Sequence, residues 1–397
     1  MHFLTEDQRD IQARAKALSD GYVKDKAAEL DRTEEYPWET TRKLAEAGFM
    51  GMTIPKEYGG LGASYLDAVL VVEQMSRNCG VTGRIVVEAN MGGIGAIMAY
   101  GSEEQKALCA PYVLAGDKPA ICITEPDAGS AATEMTTTAE KVDGGYKLNG
   151  EKHWITGGGV SKVHLIFARV IENGDFQGIG GFIAIRGEDE GLVTGKREPA
   201  MGLRAIPETH VHFEDLFIPD ARVISLPEGF RKGFAALMNA YNAQRVGAAT
   251  VAHGIAQGAY ERAVEYAKER EQFGRPIAEF QGLQWMLADM STGLAASQAL
   301  IYKAAAGEGG RFPNMQEAAQ AKIFAAENAI KVTDAALQIH GAMGYSRNLP
   351  MERLYRDARM FTIGGGTAQM LRNQVASSLL GRKLPQTRGG HLKVAAE

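Results

Sequence analysis

The 397-residue chain is poor in cysteine, carries no surplus of positive charge and has no long apolar run. Its three cysteines, Cys79, Cys109 and Cys122, cannot all pair and show neither CxxC nor Cys/His spacing, so neither a disulfide framework nor a zinc site is expected. Lys plus Arg number 43 against 48 Asp plus Glu, a net charge of −5, which argues against the clustered basic surface that nonspecific nucleic-acid binding needs. The first residues, MHFLTEDQRD, are acidic and polar where a secretory leader is basic and then apolar, and no uninterrupted apolar stretch reaches the ~18 residues of a membrane span. These absences predict a cytoplasmic protein with no membrane or nucleic-acid partner, in which an anionic ligand must be met by individually placed arginines.

What is present is a chain with 45% hydrophobic and 23% charged residues, enough to bury a sizeable core. Apolar residues at Tyr65, Ala68, Val69, Val72 and Met75 recur at helical spacing, and residues 1–118 read as a helical domain. Short β-rich runs follow, such as Val163–Val170 and His210–Phe217, separated by Gly, Asp and Asn clusters, so residues 119–228 read as antiparallel strands forming a small barrel. Long Ala-rich amphipathic stretches over Gly233–Arg270, Glu279–Ala306 and Met315–His340 make residues 229–397 a helical bundle. The class is α+β.

Several short segments carry chemistry. In ICITEPDAGS, residues 121–130, a strand-like run enters a Pro-Asp-Ala-Gly turn in which Thr124 and Ser130 supply hydroxyls, either to fix the turn or to meet a planar ligand. Trp154 and Thr156 offer a stacking face and a hydroxyl. In REQFG, residues 270–274, Arg270 and Phe273 close a helical stretch; the guanidinium suits a diphosphate or a neighbouring Glu269 or Glu271. Arg84 stands four residues before Glu88, a spacing that permits a helical salt bridge.

Together with Gln338-Ile339-His340-Gly341 and Gly366-Thr367, these motifs make the chain resemble the acyl-CoA dehydrogenases over nearly its whole length. The resemblance implies a three-domain fold, a homotetramer, FAD, and an acyl-CoA thioester as substrate. It implies flavin contacts from Ile123, Thr124, Ser130, Trp154, Thr156, Gln281, Gln338, Gly341, Thr367 and Gln369, with Arg270 and Phe273 reaching the flavin of a neighbouring subunit. Ser130, Asn242 and Arg245 are implied on the coenzyme A side, Asn242 standing where the family usually has an acid.

The chain departs from the family where its chemistry lies. The carboxylate that removes the α-proton is expected just before the Gly-Thr pair or just before the long-helix arginine, and these places hold Gly365 and Gln244. Glycine has no side chain and an amide is too weak a base, a loss of roughly 10²- to 10⁴-fold in rate unless a carboxylate such as Glu88 or Glu134 takes over. By resemblance Arg84 lines the acyl end of the pocket, where an unpaired cation calls for an anionic acyl terminus such as a carboxylate or sulfinate; Arg77 is the weaker candidate. The combination of Arg84, Gln244 and Gly365 resembles the 3-sulfinopropanoyl-CoA desulfinase branch, which implies catalysis by Arg84 and Gln244 and release of sulfite and propanoyl-CoA without net oxidation. The alternatives are a short-chain or dicarboxyl acyl-CoA dehydrogenase with a relocated base, passing electrons to an electron-transfer flavoprotein, and a non-catalytic flavin or acyl-CoA binding protein.

Overall fold

A computed structural model describes residues 4–224, 226, 229–307 and 312–382. Seven helices come first: α1 (Glu6–Leu18), α2 (Lys24–Thr33), α3 (Trp38–Glu46), α4 (Tyr65–Ser76), α5 (Gly80–Asn90), α6 (Gly93–Tyr100) and α7 (Glu103–Leu114). The starts of α1, α4 and α7 are fixed by capping boxes at Thr5/Gln8, Ser64/Asp67 and Ser102/Gln105, each satisfying two otherwise unpaired backbone donors or their equivalents. Ten of the eleven residues of α5 are buried and the remaining one is Arg84, so this helix is core and its cation cannot stand out in bulk water.

The strands are β1 (Ala120–Cys122), β2 (Thr138–Val142), β3 (Gly145–Thr156), β4 (Val163–Glu172), β5 (Asp175–Ile185), β6 (Leu192–Arg197), β7 (Glu208–Pro219) and β8 (Val223–Ile224). They form one sheet in the order β6-β7-β3-β2-β4-β5-β8, with β1 added beside β4. The expectation of antiparallel strands needs one correction: β1 and β2 both pair with β4 in parallel, along His164–Ile166 and Arg169–Ile171 respectively. They lie end to end on the same neighbour, and residues 123–137 leave the sheet between them as a loop. The predicted turn chemistry of that segment is therefore an excursion from one continuous edge.

The chain then enters α8 (Phe230–Glu269), a small hairpin of β9 (Glu271–Gln272) and β10 (Arg275–Pro276), α9 (Gln281–Ala306) and α10 (Met315–Ile339). Short α11 (Ala342–Tyr345), α12 (Met351–Arg359) and α13 (Ala368–Leu379) complete it. Close packing of α8 on α4 and α5 depends on small residues: a Cβ at Gly247 would lie 2.6 Å from a Val87 methyl, and one at Gly254 would lie 2.5 Å from Ser76 Cβ. That approach brings the middle of α8, with Gln244 and Arg245, against the buried face of α5. No helix among the described residues is long and apolar enough to cross a membrane.

Candidate active site

Arg84 is the hub of a charged cluster where α5, β3, β7 and α8 meet. Its Nη2 donates to Thr156 Oγ1 at 2.6 Å, its Nη1 lies 3.1 Å from Glu208 Oε1, and its Nε lies 3.6 Å from Glu88 Oε1. The side chain is 13% exposed, against 15% for Glu208 and 4% for Glu88. The Arg84–Glu88 bridge therefore forms, but inside the protein, and a second carboxylate from β7 shares the same guanidinium. The expectation of an unpaired cation is corrected in this respect: burying a charge demands partners, and two acids supply them.

The rest of the cluster locks these groups together. Thr156 Oγ1 donates to Glu208 Oε2 at 2.9 Å, and Gln244 Nε2 donates to both Glu88 oxygens at 3.1 and 3.2 Å. Gln244 Oε1 is buried and accepts no hydrogen bond among the described residues. The Lys118 ammonium is fully buried and donates to the Thr156 carbonyl at 3.1 Å, in space that Gly157 leaves open, since a Cβ there would lie 2.6 Å from Nζ. Burial pushes Lys118 below the usual lysine range, against the pull of Glu88. Burial likewise pushes Glu208 above the usual carboxylate range, with Arg84 and Thr156 acting in the other direction.

Arg84 Nη1 also donates to Met360 Sδ at 3.7 Å, at the start of the loop that follows α12 and carries Gly365. The φ of Gly365 is +72°, and a Cβ added there would meet nothing within 4 Å. Packing would admit a side chain here; the backbone conformation favours glycine. The loop is clamped by Lys322 of α10, whose Nζ donates to the carbonyls of Gly364 and Gly366 at 2.8 and 2.5 Å. Burial, reinforced by the charge of Arg245, pushes Lys322 down to about 7. Arg245 is itself buried, donating from Nη1 to Asn242 Oδ1 at 2.6 Å. Asn242 thus supplies, without charge, the acceptor for this arginine.

Ile123, Thr124 and Ser130 lie on the loop between β1 and β2, and Ser130 is exposed. The loop is tied down by Glu125, which accepts from the backbone of Thr136 and Thr137 and from Lys152 Nζ at 2.8 Å; Lys152 also donates to the Ile123 carbonyl. Burial opposes ionisation of Glu125, yet Lys152 and the donors from Thr136 and Thr137 hold it down to about 2. A register shift between Lys152 and Ile155 turns Trp154 outward at φ +58°, leaving its indole 52% exposed and stacked on His153 at 5.0 Å. Thr367 caps α13 by accepting from the Met370 amide, and Gln369 is exposed.

A second set lies elsewhere. Arg270, Phe273, Gln281, Gln338 and Gly341 are exposed at the far end of the long helices, Phe273 at 94%. From Arg245 to the end of α8 at Glu269 is about 36 Å at 1.5 Å per residue, so one chain does not bring this set to the Arg84 cluster. Two of the weaker expectations also fall away from it: Arg77 is bonded to Glu261 and Gln74, and Glu134 is exposed on a short turn. Glu208, Lys118, Lys322 and Lys152 lie outside the sequence motifs, and nothing in ICITEPDAGS marks Glu125 as the partner of Lys152. Only Glu208 had a faint signal, a lone acid directly after Ile206-Pro207 at the start of a β-rich run.

Residues 5–117, 120–216 and 231–380 match the N-terminal, middle and C-terminal domains of the acyl-CoA dehydrogenases. The chain is 62% identical over 399 residues to a 3-sulfinopropanoyl-CoA desulfinase of Variovorax paradoxus, with all of both chains covered. It is 61% identical over 394 residues to one of Cupriavidus necator, covering 99% of this chain and 100% of that one. Among solved structures, butyryl-CoA dehydrogenase of Megasphaera elsdenii matches with a TM-score of 0.90 at 32% identity, covering 95% of this chain and 99% of that one.

Proposed function

This chain belongs to the acyl-CoA dehydrogenase family, and on that premise we propose that it is a 3-sulfinopropanoyl-CoA desulfinase that binds FAD and releases sulfite and propanoyl-CoA without net redox change. The observation that carries the reading is the Arg84 guanidinium bonded to Thr156 and to Met360, at the start of a loop whose Gly365 has room for a base and carries none.

The residues fit the cofactor. Trp154 presents an exposed indole face, Thr156 a hydroxyl at the cluster, and Thr124 and Ser130 a polar loop pinned by Glu125; Thr367 and Gln369 lie just beyond the glycine loop. Bound FAD supplies a planar, redox-capable wall to the acyl pocket. In a homotetramer, Arg270, Phe273, Gln281, Gln338 and Gly341 reach the cofactor of a neighbouring copy, which accounts for their exposure and their distance from Arg84. The division at 118/119 and 228/229 belongs to the same reading.

The substrate's coenzyme A runs toward Ser130, Asn242 and Arg245, and its sulfinate meets Arg84. A bidentate guanidinium draws electron density from the sulfinate sulfur and orients it for attack by water. The carbon-sulfur bond breaks as the sulfur-oxygen bond forms: its electron pair stays with C3, sulfur is oxidised by two electrons as carbon is reduced by two, and the proton lost by water balances the one gained by C3. Gln244, with Oε1 buried and unpaired, is placed to accept a hydrogen bond from water or substrate. Glu88 is engaged by the Gln244 amide on both oxygens and lies 3.6 Å from Arg84 Nε, interactions that stabilise its ionised form and weaken it as an α-proton base.

Incubating the FAD-loaded protein with 3-sulfinopropanoyl-CoA should release sulfite and propanoyl-CoA in equal amounts. Anaerobic addition of butanoyl-CoA should leave the flavin band nearly unbleached. Rapid bleaching with no sulfite would instead identify a dehydrogenase passing electrons to an electron-transfer flavoprotein, and ligand binding with neither outcome would identify a silent binding protein.

A further inference from the structure

The Arg84 cluster shares its guanidinium between two acids, an arrangement that the reaction alone does not explain. One guanidinium is flanked by two carboxylates, Glu88 on its own helix and Glu208 on β7, and Lys118 is the other nearby cation that acts on both acids. Counted as ions, these four groups sum to zero, and Asp117, which also faces Lys118, adds no positive charge. Admitting a sulfinate would leave a net negative charge in a site that is largely closed to water, an expense the arginine alone cannot offset.

The two acids are not equivalent. Glu88 receives both of its Gln244 hydrogen bonds through oxygens that Arg84 approaches only at 3.6 Å, so it keeps its partners when the guanidinium turns to a ligand. Glu208 depends on the two donors that the substrate-loaded site needs, the Arg84 Nη1 and the Thr156 hydroxyl. Once Arg84 engages an anion and Thr156 faces the cofactor, Glu208 is a half-buried carboxylate with Lys118 as its remaining favourable neighbour. Burial already favours its neutral form, Glu88 adds repulsion, and the nearby Tyr241 hydroxyl, itself pushed up to about 12 by burial and by Glu88, stays protonated and brings no compensating charge.

We propose that Glu208 is a positioning residue that guards Arg84 in the empty enzyme and takes up a proton as the anionic acyl terminus displaces it. The pair is thus a charge exchange: sulfinate enters, a proton follows, and the cluster's total charge is unchanged. This couples affinity to pH and gives the site a reason to prefer an anionic terminus over an alkyl one. The proposal rests on the desulfinase reading for the identity of the substrate, while its test uses a ligand that cannot release sulfite.

The test is calorimetric titration of the FAD-loaded protein with succinyl-CoA, the carboxylate analogue of the substrate, in buffers of different ionisation enthalpy, with propanoyl-CoA as the neutral control. Succinyl-CoA should bind with net proton uptake near neutral pH, and propanoyl-CoA without it. In Glu208→Gln the uptake should vanish, and the KM for 3-sulfinopropanoyl-CoA should lose the rise with pH expected of the native enzyme. Equal proton uptake for the two thioesters on the native protein would overturn the proposal whatever the variant does. So would uptake that survives Glu208→Gln, or that disappears in Glu88→Gln instead. Sulfite release is read separately, so failure of the desulfinase assignment and failure of the exchange are distinguishable.

Discussion

Two buried ion clusters in this protein, some of whose residues are neighbours in β3, behave as opposites. Lys152 and Glu125 form a one-to-one pair, 0% and 4% exposed, in which the Thr137 amide shares Oε1 with the ammonium, Thr136 fills Oε2, and the ammonium also reaches the Ile123 carbonyl. Arg84, by contrast, is shared between two acids and touches a threonine and a thioether, and the amide that completes the cluster leaves its oxygen unpaired. The first arrangement is complete and belongs to the scaffold; the second is incomplete in a manner that a ligand resolves. Buried charge is thus informative about function through how its partners are shared rather than through its presence.

The comparison breaks most sharply on the scaffold side. Lys152→Met leaves Glu125 buried without its cation and should cost about 3–5 kcal/mol of stability, read as a lowered denaturation midpoint together with loss of FAD. Arg84→Met should change that midpoint far less, because Glu88 retains Gln244 and Glu208 can protonate. Equal destabilisation of the two variants would erase the distinction.

Installing the missing acid sharpens the functional side. Gly365→Glu has space for its Cβ but strains a φ of +72°, so some stability is lost. The new carboxylate should raise the rate of anaerobic flavin bleaching by butanoyl-CoA by roughly 10²-fold or more, the range expected of a general base. A variant that folds, holds FAD and bleaches no faster would show that Gly365 does not border the thioester.

The pH dependence separates the clusters by sign. Glu125 titrates at about 2 in the folded protein, below its unfolded value, so its contribution to stability is present above the ordinary carboxylate range and is lost as pH falls from about 4.5 toward 2. Glu208 shifts the other way, and its ionisation costs stability as pH rises. Comparing Glu125→Gln with Glu208→Gln in acid and alkaline unfolding should therefore give opposite trends. The smallest effect is expected of Gln244→Ala, a drop of about tenfold in turnover as Glu88 loses its amide partner, on the scale of one hydrogen bond to a charged group.

Much of this was legible in the sequence because it depends on periodicity or on fixed motifs. The α-helices over 230–269, 281–306 and 315–339 agree with the predicted Ala-rich stretches to within a few residues, since amphipathic spacing persists over many turns. Arg84, Gln244 and Gly365 stand out as departures from the pattern that the resemblance implies, and Arg84 and Gln244 both reach Glu88. The collinear β1 and β2 were not legible, because a parallel register depends on a shared partner rather than on local pattern. Glu208 carried only a faint signal: an acid at the start of a strand is ordinary, and only the tertiary fold places it 3.1 Å from a guanidinium 124 positions earlier in the chain.

The most direct test of the central claim is sulfite release from 3-sulfinopropanoyl-CoA by Arg84→Lys, measured on protein with its full complement of FAD. Lysine keeps the charge and loses the planar fork, and turnover should fall by about 10²-fold or more with flavin content unchanged. Native turnover in that variant would contradict the account, because a guanidinium that can be replaced without loss is not what receives the sulfinate.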